Sequence, residues 1–538
     1  MKGDQMSDKS LLEKVMNEPQ PIPRRVPDYM RKKGGIWFWT GAMIMIAFFY
    51  EALTGLLIYF YYQPSNAYAS TEALLNVPYG GLILSTHLYA AYIMIALVYI
   101  HLLRNMFVGA YKKPREMQWL SGILLLVLTV AVAYFGYSMT GDVLSADATD
   151  VGRGIANGFP FIGKYLSLIV LGTGTDLSLF TRLEGWHIVL AAGIMLIFAM
   201  HFFLAEYNTI MPHPKEVNYK VPAIDKDDGM YKPWYPHNFI YMIQVTLFTL
   251  ALIFIIPSVI ALLPNVPPLF SPFPSVSVSS PLASSIPPYP PWFLLFVYKE
   301  LDFGISSTLG PFWAVVLFTG MPLIYLLAIP YFERSQTLKI RPRHLMVSTG
   351  IIGVFYLIGL SAWGALQPGI PVSNIEGLLF FVVPLVIIIP LVYRLAVYVD
   401  SGKSKLGDRV WKIYAITPFI AFIAIMSGIA LYATLQNPDF YYLTALIFLL
   451  VVLAISTLTA YGLIYGLKFD PVQKKMSSKG HVVFGSLFGI SAIAILSVIS
   501  VFQTTPQIAQ ALYGVGLGLI FLTGSATLKL YRSLAFSE

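Results

Sequence analysis

Apolar residues run along this chain in windows long enough to cross a hydrocarbon layer, separated by short polar or basic connections. A helix rises about 1.5 Å per residue, so about 20 apolar residues span the roughly 30 Å core of a bilayer. The windows lie at about residues 36–62, 81–108, 119–139, 184–206, 238–263, 309–330, 345–366, 376–398, 410–433, 441–467, 481–502 and 508–530. They predict an all-α, polytopic membrane helix bundle of about twelve transmembrane helices. The opening stretch, MKGDQMSDKSLLEKVMNEPQ, is charged and polar where a cleavable signal would be apolar.

Composition names the solvent. Of 538 residues, 57% are hydrophobic and 12% charged, too little polar surface to cover a water-soluble globule of this size. With no cysteine in the chain, disulfides, thiolate metal sites, iron–sulfur ligation and covalent haem attachment are excluded, so any iron must be held by nitrogen. Basic residues set an expected orientation, because short connections rich in Lys and Arg stay cytoplasmic. The N-terminal segment and the second, fourth, sixth, eighth and tenth connections are basic. The alternate ones nearly lack Lys and Arg, apart from the long third and fifth, which are expected to fold as structured outer loops. Twelve helices with both termini cytoplasmic in a cell membrane satisfy this pattern. It also accounts for the net charge of +8 without nucleic-acid binding.

Four of the eight histidines fall well inside predicted helices, away from their ends: His87 and His101 in the second, His187 and His201 in the fourth. Each pair is fourteen residues apart, nearly four helical turns, so both members face one way about 21 Å apart. Both helices enter from the outside, which brings His87 level with His187 near the outer face and His101 level with His201 near the inner. Ionisable groups in lipid are costly and mark function, and facing side chains of a bundle are where cofactors are held. A tetrahedral zinc site wants three or four ligands at one point. Two imidazoles per level instead suit two six-coordinate haem irons.

Gly41 and Gly55 on the first helix, and Gly122 and Gly136 on the third, repeat the same spacing. Small-residue helix packing is one reading of such glycines. The shared period favours another, that backbone must approach a macrocycle where no Cβ fits. Gly41 and Gly122 should then border the inner haem, and Gly55 and Gly136 the outer.

The first helices resemble the cytochrome b family of quinol-oxidising complexes, of bc1 and b6f type. The resemblance rests on LTGL (Leu53 to Leu56), the run from Thr86 to Arg104, WLSG with the later FGY (Trp119 to Tyr137), and TRLEGWH (Thr181 to His187). PPWFLLF (Pro290 to Phe296) is similar to the family's PEWY motif, and the likeness spans about residues 30–400. About four further helices resemble the extension of archaeal relatives that serve quinol oxidase assemblies. The expected organisation is a cytoplasmic segment (1–35), a di-haem domain with a four-helix core (36–235), a second cytochrome b-like domain with the PPWF loop (236–400) and a four-helix membrane extension (401–538). The extension offers few polar groups and is expected to dock against other subunits or lipid.

The resemblance implies that His87 and His187 ligate a low-potential haem, that His101 and His201 ligate a high-potential one, and that the four glycines face the haems. Arg104 and Arg182 stand where the family places arginines near haem propionates, though Arg182 could instead cap an interface. The haems are b-type or haem A-type variants. Quinol would be oxidised near the outer face, with electrons crossing through the haems, protons translocated, and a Rieske iron–sulfur protein or haem-copper oxidase subunits as partners.

Departures from the family pattern touch the proton path. Pro290, Pro291, Trp292 and Phe293 lack the PEWY carboxylate, Leu84 replaces an arginine, and Glu206 and Met242 stand where the inner quinone-binding His and Asp are usual. Trp292, Phe293 and Tyr289 are expected to form an apolar wall on a proline-stiffened loop. Tyr289, Asp302, Glu300 and Asp147 are candidates to take the outer proton, and Glu206 to supply an inner one, although Glu206 could also be a solvated helix-end carboxylate. Two alternatives stay open: a di-haem anchor linking a peripheral dehydrogenase to quinone, and a non-redox transporter. Charges inside the spans, such as Glu51, are few for a transporter.

Overall fold

The computed structural model describes residues 25–27, 30, 35–222, 231–234, 237–263, 266–400 and 506–535. The predicted spans at 410–433, 441–467 and 481–502, and most of the segment 1–35, lie outside these. Among the described residues, nine segments are long and apolar enough to cross a membrane: Thr40–Tyr59, Gly80–Val108, Glu116–Ser138, Asp176–Asn208, His237–Leu262, Pro311–Phe332, Arg341–Leu366, Asn374–Val399 and Gln507–Lys529. They are the first eight and the last of the twelve predicted spans, and are named below by those ordinals.

Their surface is that of a protein solvated by lipid. Large apolar side chains face outward on the first span (Phe49, Leu53, Leu56, Leu57) and the fourth (Ile188, Val189, Leu196, Phe203). The second span is the most enclosed, with Tyr89, Ala90, Tyr92, Met94 and Ile95 buried. Prolines stand inside the fifth span (Pro257) and the eighth (Pro384, Pro390), where neighbouring helices can satisfy the freed backbone groups. The sixth span carries a π-helical turn at Val316–Gly320.

The long third connection folds into helices Val143–Asn157 and Gly163–Leu171, and the fifth into Leu295–Leu301 and Gly304–Leu309. Asp142 ties the two connections together. One carboxylate oxygen caps helix Val143–Asn157 by accepting from Ser145 N at 2.8 Å, and the other accepts from Ser275 N at 2.7 Å. Capping satisfies a helix-end donor that has no partner within the helix.

At the opposite end a buried polar cluster joins the second–third connection to the sixth–seventh. Arg343 Nε lies 3.1 Å from Glu333 Oε2, and Lys112 and the Tyr111 hydroxyl also donate to that carboxylate. Arg343 further donates to the carbonyls of Phe107 and Met106 at 3.3 and 3.2 Å, which closes the C-terminal end of the second span. Burial works against the charge on Glu333, yet the bonds from Lys112 and Tyr111 and the nearby Arg343 hold it below the ordinary carboxylate range. Lys112 and Arg343 therefore fasten the fold as well as contributing to the charge of their connections.

The last span belongs to helix Pro506–Ala535, which lies along the fifth span and touches the second. A side chain at Gly514 would strike Ser258 and Leu82, and one at Gly518 would strike Ile255. Leu82 N donates to Gln510 Oε1 at 2.9 Å, Ser525 Oγ to the Gln244 carbonyl at 3.0 Å, and Arg532 to Gln244 Oε1 at 3.1 Å. This helix, which the sequence places in the membrane extension expected to dock against other subunits or lipid, packs on the second and fifth spans.

Candidate functional site

The first span lies along the second, and the third along the fourth. This brings the four intramembrane histidines together in two facing pairs. The ring centroids of His87 and His187 are 6.5 Å apart, and those of His101 and His201 are 6.4 Å apart. A metal–imidazole bond is about 2.0–2.1 Å, and the ring centre lies about 1.1 Å beyond the nitrogen, so two imidazoles sharing one metal would have centroids about 6.3 Å apart. Both pairs match that separation.

Hydrogen bonds assign the proton on each ring. His187 Nδ1 lies 2.9 Å from the Val132 carbonyl, which can only accept, so Nδ1 carries the hydrogen. His101 Nδ1 lies 2.9 Å from Thr40 Oγ1, His87 Nδ1 2.8 Å from Thr54 Oγ1, and His201 Nδ1 3.0 Å from Ser121 Oγ. Each of these hydroxyls can spend its own hydrogen on a backbone carbonyl, of Trp37, Tyr50 and Gln118 respectively. Its lone pair is then left to accept from the imidazole. In this arrangement all four rings can keep Nε2 as a free electron pair, the state needed for metal ligation.

The glycines touch the histidines themselves. A Cβ added at Gly41 would lie 3.4 Å from His101 Cε1, and at Gly55 3.2 Å from His87 Cε1. At Gly122 it would lie 3.1 Å from His201 Cε1, and at Gly136 only 2.7 Å from His187 Cε1. Each glycine therefore seats an imidazole at the level expected of it, a closer duty than leaving room for a macrocycle. Thr40, Thr54 and Ser121 each immediately precede one of these glycines, and Thr40 and Thr54 are themselves fourteen residues apart. That repeat was the signal by which they could have been found.

Between His101 and His201 opens a cavity of about 550 Å³, lined also by Gly41, Gly122, Arg104, Arg115 and Glu206, within the roughly 300–1,000 Å³ usual for cofactor sites. Arg104 donates to Asn105 Oδ1 and the Met211 carbonyl, each at 2.7 Å, and lies over the Phe38 ring. Arg115, which the sequence reading treated only as a loop charge, is buried here and donates to the Thr209 carbonyl at 3.1 Å. Met242 lines the same space. Arg182 turns back on its own helix, donating to the Ser178 carbonyl and hydroxyl at 3.0 and 2.7 Å. The donor set, the glycine seats and this space fit a bis-imidazole macrocycle.

The PPWF segment packs on the span that carries His87. Pro290, Pro291 and Phe293 are buried, and the Tyr92 ring meets Trp292 at 5.9 Å and Phe293 at 6.2 Å. The Tyr137 hydroxyl lies 3.4 Å from the Tyr289 carbonyl. Of the candidate acids, Asp302 is held by the buried Lys299 at 3.1 Å. Glu300 is buried against Thr319 of the π turn at 2.7 Å, and burial pushes it up to about 8. Asp147 is half-buried and raised by burial and by the neighbouring Asp150 and Asp142. Burial raises Tyr298, with Tyr134 and Asp147 adding to it, and its hydroxyl reaches the carbonyl of Ala148, next to Asp147, at 3.3 Å. Glu51, noted in the sequence only as a rare intramembrane charge, lies 2.9 Å from His87 Nδ1.

The family profile "Cytochrome b(N-terminal)/b6/petB" matches residues 92–272. A cytochrome b of Sulfolobus acidocaldarius is 35% identical over 97% of this chain and 97% of its own length. A cytochrome b6 of Heliomicrobium gestii is 33% identical over 31% of the chain and 81% of its own length. Among solved structures, a chain of a hyperthermophilic respiratory complex III is similar in fold. It has a TM-score of 0.53 and 21% identity, covering 69% of this chain and 94% of that one. With nine membrane-spanning segments among its described residues and a relative that similar along nearly its whole length, this integral membrane protein belongs to the cytochrome b family.

Proposed function

We propose that this chain is the di-haem subunit of a quinol-oxidising respiratory complex, with His87 and His187 holding one haem and His101 and His201 the other. The observation that carries this reading is the pair of facing imidazoles at each of two depths, 6.5 and 6.4 Å between centroids. Haems held by His87 with His187 and by His101 with His201 would supply one-electron carriers at two depths, which would suit passing one electron of each quinol across the membrane and the other to a Rieske-type iron–sulfur partner. Arg104 and Arg115, lining the cavity beside His101 and His201, are suited to a carboxylate-bearing macrocycle because a guanidinium pairs with carboxylates in a fork.

Quinol docks on the predicted outer side, against Trp292 and Phe293 where they pack on Tyr92. The PPWF segment brings no carboxylate, so the quinol proton must go to another acid. Glu300 is mostly protonated at neutral pH and Asp302 is already paired with Lys299. Asp147 is the acid best suited: it is half-buried, and its helix meets Tyr298 beside the PPWF segment. Glu206, lining the cavity of the opposite level, is the corresponding candidate donor to a quinone at the predicted cytoplasmic face.

The test is quinol oxidation by the assembled complex. Asp147→Asn should lower turnover by about 10²-fold, the scale of one acid–base group, while Asp302→Asn and Glu300→Gln leave it within about threefold. Only ionised Asp147 can accept a proton, so the wild-type rate should rise with pH through its raised pKa. Unchanged turnover in Asp147→Asn would assign the proton to water or to a partner subunit.

A further inference from the structure

We propose that Glu51 is a positioning residue that lowers the redox potential at the His87–His187 site by accepting the His87 Nδ1–H on its carboxylate. The proposal rests on the haem reading above and adds to it a residue-level cause for a difference between the two sites.

Glu51 stands one turn before Thr54 on the first span, and the two share one imidazole hydrogen. His87 Nδ1 lies 2.9 Å from Glu51 Oε2 and 2.8 Å from Thr54 Oγ1. Thr54 can give its own hydrogen to the Tyr50 carbonyl at 2.8 Å, so both oxygens face the ring as acceptors. Among the described residues, the other three histidines meet a neutral acceptor at this distance: Thr40 for His101, Ser121 for His201 and the Val132 carbonyl for His187. The carboxylate is thus the difference within an otherwise repeated arrangement.

Packing alone does not explain an acid at this place. The second oxygen, Oε1, is buried with no hydrogen-bond partner among the described residues, and a carboxyl group inside a membrane span is costly. A glutamine would fill the same volume and also accept from Nδ1. What the carboxylate adds is negative charge drawn toward the imidazole hydrogen, which makes Nε2 a stronger electron donor. A stronger donor, with a negative charge nearby, favours the oxidised metal and lowers its potential. Among the described residues, the hydrogen-bond partners on the His101 and His201 rings are neutral hydroxyls.

The experiment is a potentiometric titration of the full chain in its membranes, following both haems by absorbance. The wild type should show two haems per chain, and a single-histidine variant, His87→Leu, identifies which titration wave belongs to this site. Glu51→Gln should raise the midpoint of that wave and leave the other within error. The ferric electron paramagnetic resonance signal of that haem should also shift, as a weaker histidine donor requires. If both haems are present and neither wave moves, or both move equally, Glu51 does not tune this site and the di-haem reading still stands. If the wild type itself holds fewer than two haems, the underlying reading fails first. Should Glu51→Gln lose the haem, Glu51→Asp, which withdraws the charge by one methylene, carries the test: a raised midpoint supports the proposal and an unchanged one overturns it.

Discussion

At the His101–His201 level each imidazole leans on a neutral hydroxyl, from Thr40 and Ser121, and the rings face a cavity of about 550 Å³ flanked by two arginines. At the His87–His187 level one ring leans on a backbone carbonyl, the other on Thr54 and the Glu51 carboxylate, and the PPWF segment packs on the same span. Ligand spacing, glycine seats and ring separation repeat between the two levels. What surrounds the rings does not. The repeat is what two equivalent cofactors would need, and the departures are where two sites acquire different tasks.

Losing a ligand should separate the levels most sharply. His201→Leu is expected to remove one haem and leave the spectrum of the other, as counted by pyridine haemochrome analysis; loss of both would make the levels one cooperative site. Next comes the fastening of the second span's end beyond His101. Glu333→Gln leaves buried Lys112 and Arg343 without their counter-charge, a loss of about 3–5 kcal/mol. Because Glu333 is held below its ordinary range in the fold, its contribution is complete above its unfolded value and fades as pH falls through the folded one. The variant should therefore melt lower at neutral pH and show a flatter acid limb than the wild type.

The glycine seats differ in tightness and give a smaller effect. Gly136→Ala puts a methyl 2.7 Å from the His187 ring, whereas Gly41→Ala puts one 3.4 Å from His101. Overpacking at Gly136 should cost about 1–3 kcal/mol and weaken haem retention at its level, while Gly41→Ala retains both haems. Equal haem loss in the two would contradict the assignment of these glycines to individual rings. Least of all, among the described residues Thr40→Val removes the side-chain hydrogen-bond partner of His101, and Thr54→Val one of two for His87. With a hydrogen bond contributing about 1 kcal/mol, haem retention should fall more in Thr40→Val than in Thr54→Val.

Much of this was legible in the sequence because it is periodic. Fourteen residues return a helix to the same face, so His87 with His101 and Gly41 with Gly55 announce themselves without a fold. Thr40 and Thr54 obey the same period but are common residues that cap and pack anywhere, so the repeat was hidden by their ordinariness. Glu51 was visible as a charge in an apolar window, yet its partner sits on another helix, and no spacing within one helix reports a contact between two. The Lys112–Glu333–Arg343 cluster and the seat of the last span on the fifth were illegible for the same reason. Charge counts place such residues at a membrane face and say nothing of which of them is buried.

The account stands or falls on two haems of unlike environment. A reduced-minus-oxidised spectrum of the purified chain, titrated against potential and calibrated by pyridine haemochrome, measures both at once. The expected result is two haems per chain, titrating in two separate waves, with the lower wave lost when His87 or His187 is replaced. One haem per chain, or a single wave for both, would contradict it.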